Sequence, residues 1–198
     1  MTNALPRTTL TLLLVAAACA ALPLSLLAQQ QPPSTAEQAL KPEKSPPGDI
    51  PDNQVFIDYA SPLGFSVKVP EGWARRDLPD GVSFADKYGR VTVTQTVAPK
   101  MPSLEEAKQT LVPDLEKNSR AVKVAAVKPV KLPAGPAILI SYGSNSDPNS
   151  VTNKAIRLEN NRYYFWKDGK LVSVNFSAPA GADNADQWDM MARSFRWR

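Results

Sequence analysis

From residue 53 onward, apolar and polar residues alternate with the period of two that marks a half-buried strand. Val55-Phe56-Ile57 opens the region; Phe65, Val67 and Val69 then alternate with Ser66 and Lys68 until Pro70-Glu71-Gly72 ends the run. Val82-Ser83-Phe84 and Arg90 to Val97 form the arms of a hairpin around Asp86-Lys87-Tyr88-Gly89. Ala121 to Leu132 and Pro136 to Tyr142 form a second pair, turned by Pro133-Ala134-Gly135. Three further strands are expected over Lys154 to Leu158, Arg162 to Trp166 and Leu171 to Ser177. Lys167-Asp168-Gly169-Lys170 joins the last two, and Asp-Gly supplies the positive φ angles of a tight hairpin turn.

Two segments change period. Ser103-Leu104-Glu105-Glu106 has the spacing of a capping box, in which the serine caps the first turn and Glu106 reaches back. Leu104, Ala107, Leu111 and Leu115 continue it as one apolar face, with Pro113 expected to kink or split the helix. A second helix is expected from about Asp183, carrying Trp188, Met191 and Phe195 on one side. Hairpin-linked strands with helices inserted between them specify an α+β fold, an antiparallel β-sheet with helices packed on it.

The first 52 residues lack this patterning. Arg7 is the only charged side chain before Glu37, and a mainly apolar run from Thr8 to Leu22 follows it. A basic start, a short apolar core and a small residue before a polar run form the layout of a secretory signal peptide, here residues 1–28. Pro23 and Gln29-Gln30-Gln31 make the run a poor permanent membrane span. Two endings fit: cleavage after Ala28, or lipidation of Cys19 within Ala16-Ala17-Ala18-Cys19, which resembles a bacterial lipobox. Residues 29–52 hold six prolines among Gln, Ser, Lys and Glu, and are expected to be an extended, mobile linker. The domain proper is then 53–198, long enough to fold around its own core without a metal or a disulfide.

Composition removes whole classes of chemistry. The chain of 198 residues has no histidine and one cysteine. That rules out Ser-His-Asp and Cys-His catalysis and any His-ligated metal, and the domain has no cysteine for a disulfide despite an oxidising destination. A net charge of +4 in an exported protein argues against nucleic acid. A carboxylate pair of the glycosidase kind needs only Asp or Glu, but no spacing singles one out. No catalysis and no cofactor are expected.

Gly64-Phe65-Ser66-Val67-Lys68-Val69-Pro70-Glu71-Gly72-Trp73, within Tyr59 to Trp73, resembles the PsbP-like superfamily of small extracytoplasmic domains. So do Tyr163-Tyr164-Phe165-Trp166-Lys167-Asp168-Gly169-Lys170, Ser177-Ala178-Pro179 and Asp183 through Phe195. That superfamily includes the PsbP subunit of the oxygen-evolving complex, DcrB-like lipoproteins and a nuclear import factor that binds Ran. The resemblance implies a PsbP-like α+β fold and a binding or assembly-accessory role with an envelope or secreted protein partner. Photosynthetic members use metal-handling residues that include histidine, so no metal site is carried over.

Several residue groups are candidates for function. Trp73-Ala74-Arg75-Arg76 sets an indole beside two guanidiniums, a combination enriched at binding surfaces, although Trp73 also suits a plug at the core's edge. Asp183, Asp186 and Asp189 offer oxygen ligands of the kind Ca²⁺ takes, provided the helix starts at Asp183; the same residues suit an ordinary helix N-terminus. The loop from Ser144 to Ser150 is rich in side-chain oxygens that could ligate a cation, or simply shape a solvent loop. Lys123, Lys128 and Lys131 could face an acidic lipid or nucleic acid, or guard a sheet edge. Tyr163 to Trp166 put aromatics on both faces of one strand, so one face is core and the other is helix-covered or an interaction surface. The leading expectation is a non-catalytic exported domain that binds a partner protein; the alternative is a cell-surface protein binding a small ligand or cation.

Overall fold

The computed structural model describes residues 37–198. The expected signal peptide, Cys19 and the first part of the expected linker lie outside them. Seven strands form one antiparallel sheet: β3 (Ala74–Leu78), β4 (Gly81–Ala85), β5 (Arg90–Val97), β6 (Arg120–Leu132), β7 (Gly135–Asn145), β8 (Arg157–Lys167) and β9 (Lys170–Pro179). Their order is β3-β4-β5-β9-β8-β7-β6, so the β5–β9 pairing joins the early hairpins to the later meander. A small sheet pairs β1 (Phe56–Ser61) with β2 (Phe65–Pro70), and β2 with β10 (Arg196–Trp197). The helical segments are α1 (Leu104–Glu106), a π-helical turn (Ala107–Leu111), α2 (Val112–Asn118) and α3 (Ala185–Ser194).

Strand alternation sorts the large sheet into two faces. Ala137, Leu139, Tyr163 and Phe165 point into a core shared with β2, α3 and Phe195. Their neighbours Ile138, Ile140, Tyr142 and Tyr164 point the other way, under Ala107, Leu111 and Leu115 of the first helical segment. The second aromatic face of β8 is therefore covered by a helix. Asp168 and Gly169 take φ of +48° and +80° in the β8–β9 turn, as the Asp-Gly pair requires.

The capping box forms as spaced: the Ser103 N–H donates to Glu106 Oε2 at 2.8 Å, and the Glu106 N–H donates to Ser103 Oγ at 3.2 Å. Lys100 joins at 2.7 Å from Glu106 Oε1. The hydrogen bonds from Lys100 and from the Ser103 backbone hold the Glu106 carboxyl down at about 2. A depressed carboxylate stabilises the fold above its unfolded pKa and loses that contribution as pH falls toward its folded value. Stability of the wild type should therefore fall between about pH 4.5 and pH 2 more than that of Glu106→Gln, measured by thermal melts across that window. Equal slopes would mean that the box carries no pH-dependent stability.

Four local readings need the structure to complete or correct them. The interruption expected at Pro113 is a π-helical turn, Ala107–Leu111, which ends just before it and divides α1 from α2, with Pro113 itself in the first turn of α2. The expected break at Glu159-Asn160-Asn161 is absent, because β8 runs unbroken from Arg157 to Lys167. Asn160 is buried there, with its amide donating to Ser144 Oγ at 3.0 Å and its carbonyl accepting from Asn175 at 3.4 Å. Ala74–Leu78, read only as a basic segment, is an edge strand.

The fourth concerns the linker. Residues 37–52 contain no helix or strand, yet they lie on the domain. Arg120 grips Glu37 with two hydrogen bonds of 2.8 Å. Asn145 donates to Glu37 and to the Gln38 carbonyl and accepts the Leu40 N–H. Asn184 takes the Ile50 N–H at 2.6 Å, and the Ile50 side chain is buried in the core. Glu37, Leu40 and Ile50 are thus tied to the domain that was expected to start at Asn53. Proline-rich composition specified the extended shape, but a few anchoring side chains decide whether such a segment is free.

Candidate functional site

The edge strand β3 organises the candidate site. It pairs only with β4, in the register Arg75↔Phe84 and Arg76↔Ser83. Successive side chains on a strand point to opposite faces. Trp73 and Arg75 consequently lie toward one face and Arg76 toward the other, so the expected trio is two surfaces.

On the first surface, Trp73 is half-buried and packs against the main core. Its indole rests on Gly89, where an added Cβ would lie 2.4 Å from the ring. Asp86 shapes that turn by accepting the N–H groups of Tyr88 and Gly89. Trp73 is therefore the edge plug. Arg75 is a different case. Its Nε and Nη2 donate to Asp77 Oδ1 at 2.9 and 2.7 Å, and its guanidinium lies 5.0 Å over the Tyr59 ring. The hydrogen bond to Asp77 raises its pKa further. Tyr59 itself packs edge-on against Phe84 at 5.1 Å. Two residues before Tyr59 on β1, Ile57 is 46% exposed. The result is a pre-ordered arginine on an aromatic ring beside an exposed aliphatic side chain.

On the second surface, Arg76 lines a cleft of about 810 Å³ between the β4–β5 turn and the 146–156 loop. Lys87, Arg90 and Lys154 also line it. Arg90 Nη1 lies 3.4 Å from Ser83 Oγ, the residue opposite Arg76 in the register, which brings the two guanidiniums to one patch. Among the described residues none of these four cations forms an ion pair. The rest of its lining includes the polar side chains of Ser146, Asn149, Thr152 and Ser177.

The other expected sites are dispersed. α3 begins at Ala185, so Asp183 precedes the helix, and Asn184 is its cap. The Asp183 N–H is held by Asp49, Asp186 sits in the first turn, and Asp189 pairs with Arg193 at 2.6 Å. Among the described residues no three acidic, Cys or His side chains converge as metal ligands. In the Ser144–Ser150 loop, Ser146 Oγ and Asn149 Oδ1 accept the loop's own N–H groups at Ile156, Val151 and Thr152, so these oxygens brace the loop. Lys123, Lys128 and Lys131 lie on β6, the other edge of the large sheet, where lysines and Pro129 discourage edge pairing. A smaller cavity of about 350 Å³ lies beside the start of α3, lined by Glu159, Asn161 and Trp188. Burial pushes the Glu159 carboxyl up.

Sequence reading missed Ile57, Tyr59 and Arg90, because their place is set by cross-strand register rather than by local spacing. An antiparallel seven-stranded sheet, with a small sheet and one helix on one face and a broken helix on the other, defines an α+β sandwich. The chain has the PsbP-like fold. It is similar to the solution structure of cyanobacterial PsbP (CyanoP) from Synechocystis, with a TM-score of 0.53 and 16% identity, covering 76% of this chain and 98% of that one. It is also similar to the Saccharomyces cerevisiae Ran-binding protein Mog1p, with a TM-score of 0.51 and 13% identity, covering 73% of this chain and 96% of that one. No family model and no curated protein matches the sequence. At these identities the likeness is one of fold.

Proposed function

We propose that this is an exported, non-catalytic domain that docks a partner protein of the cell envelope through the Tyr59–Arg75 surface. The observation that carries the reading is Arg75 itself, held by Asp77 and stacked on Tyr59. An arginine already fixed in one rotamer loses little entropy on binding, and Arg and Tyr are enriched among residues that dominate interface energies. Ile57 adds apolar area beside it. The shared fold supports the reading, since one similar structure is a Ran-binding protein. Export rests on the basic-then-apolar layout of residues 1–28, and no helix among the described residues is long and apolar enough to cross a membrane. The mature chain is cleaved after Ala28 or anchored through a lipid on Cys19; the mass of the N-terminal peptide distinguishes them.

The expected partner presents a carboxylate for Arg75 and an apolar contact for Ile57. Cross-linked envelopes of the host should yield a stoichiometric partner with the wild type, and Arg75→Glu combined with Ile57→Asp should reduce recovery about tenfold or more. Equal recovery with the double variant would contradict the surface; no partner with the wild type would contradict the function. A second reading, a small-ligand binder, is favoured by the basic cleft.

A further inference from the structure

We propose that the cleft between the β4–β5 turn and the 146–156 loop binds the phosphate ester of a polyol or sugar, through Arg76, Arg90 and Lys154. The site is separate from the Tyr59–Arg75 surface and does not depend on it.

Register places Arg76 and Arg90 together. Arg76 faces Ser83 across β3–β4, and Arg90 on β5 reaches back to the same Ser83 hydroxyl. Arg90 is opposite Ala85 in the register, so the two cations lie two strands apart on one sheet face, and both line the cleft. Elsewhere in the described residues Arg75 pairs with Asp77, Arg120 with Glu37 and Arg193 with Asp189, while Arg157, Arg162 and Arg196 donate to carbonyl oxygens. Arg76 and Arg90 have none. Lys154 brings a further unpaired cation from the loop. Lys87 is the fourth, and its ammonium lies 4.9 Å over its own neighbour's ring at Tyr88.

The carboxylates at the cleft, Asp86 and Asp147, offset only part of this charge, two against four cations. Asp86 Oδ1 already accepts the turn N–H groups of Tyr88 and Gly89. The Asp147 carboxylate makes no ion pair among the described residues and lies on the lining. Two guanidinium forks and one ammonium suit the several oxygens of a phosphate. A carboxylate on the loop side of the cleft suits a ligand hydroxyl. The volume of about 810 Å³ leaves room for a body beyond the phosphate. Together these features describe a phosphate carried on a hydroxylated body.

That chemistry has two sources outside the cytoplasm, a free polyol phosphate and a phospholipid headgroup. Calorimetric titration of the full chain with glycerol 3-phosphate tests the first, and co-sedimentation with phosphatidylglycerol vesicles tests the second. Glycerol is the neutral control, and Lys128→Ala, on the far edge strand, is the control for general charge. The expected result is saturable binding in one arm, weakened about tenfold by Arg76→Ala or Arg90→Ala and further by both, with Lys128→Ala unchanged. Both arginines are exposed on strands, so unchanged melting temperatures would show that the variants fold. Binding in the first arm assigns the free ester, and binding confined to vesicles assigns the headgroup. The proposal is overturned by no saturable binding in either arm. It is equally overturned by a double variant that binds as the wild type does, or by Lys128→Ala weakening binding as much as the arginine changes.

Discussion

Phe195→Ala should lower the unfolding free energy by about 4 kcal/mol, the largest loss expected from a single side chain in this domain. Phe195 is completely buried at the end of α3. Its ring stacks on Phe165 of the large sheet at 4.2 Å, lies 5.7 Å from Phe65 of the small sheet, and meets Trp197 edge-on at 5.2 Å. One ring therefore joins the helix, the large sheet and the small sheet, and removing it leaves a cavity that three elements would have to close together. Phe195→Leu keeps most of the volume and should cost less than about 1.5 kcal/mol. Urea unfolding of the three proteins reads both values. A loss below about 1 kcal/mol for the alanine variant would mean that the three elements do not share one core.

Asn145→Ala should cost about 2–3 kcal/mol and free the segment that precedes β1. The side chain is buried and joins four groups. Its amide donates to Glu37 and to the Gln38 carbonyl, while its Oδ1 accepts the Leu40 N–H at 3.0 Å and Arg157 Nη1 at 3.1 Å. Arg157 is itself buried and has no carboxylate partner; its other acceptor is the Ala121 carbonyl at 2.8 Å. Ala121 adopts φ +46° within the irregular start of β6, which aims that carbonyl at the guanidinium. Alanine at 145 would leave a buried cation with one acceptor and release Glu37 from one of its two partners. Hydrogen exchange should show the Leu40 amide losing protection while amides of β8 and β9 keep theirs. Full protection at Leu40 would mean that other contacts hold the segment.

Alternation in the sequence was enough for the α+β architecture because most strands have one face in the core: Phe65, Val67 and Val69 on β2, Val91 and Val93 on β5. The same signal failed where burial does not follow apolarity. Glu159-Asn160-Asn161 reads as a break, yet hydrogen bonds to Ser144 and from Asn175 keep Asn160 in a buried strand. Ala74–Leu78 has almost no apolar face because it is a sheet edge. The candidate site was legible to the level of its arginines and no further. Arg75 and Arg76 were visible as neighbours, but only pairing with β4 shows that they serve opposite faces, and only the fold brings Tyr59 under one and Arg90 beside the other. Asp183, Asp186 and Asp189 had regular spacing, but the helix begins two residues too late for it to matter.

The proposed function depends most on a partner protein docking where Arg75 stacks on Tyr59. The direct measurement places a photo-activated cross-linking residue at position 57 in cells of the host, with position 131 on the opposite edge as the control. A single discrete adduct from position 57, lost on Arg75→Glu and absent from position 131, is the expected result. No adduct at 57, or the same adducts from both positions, would contradict the account.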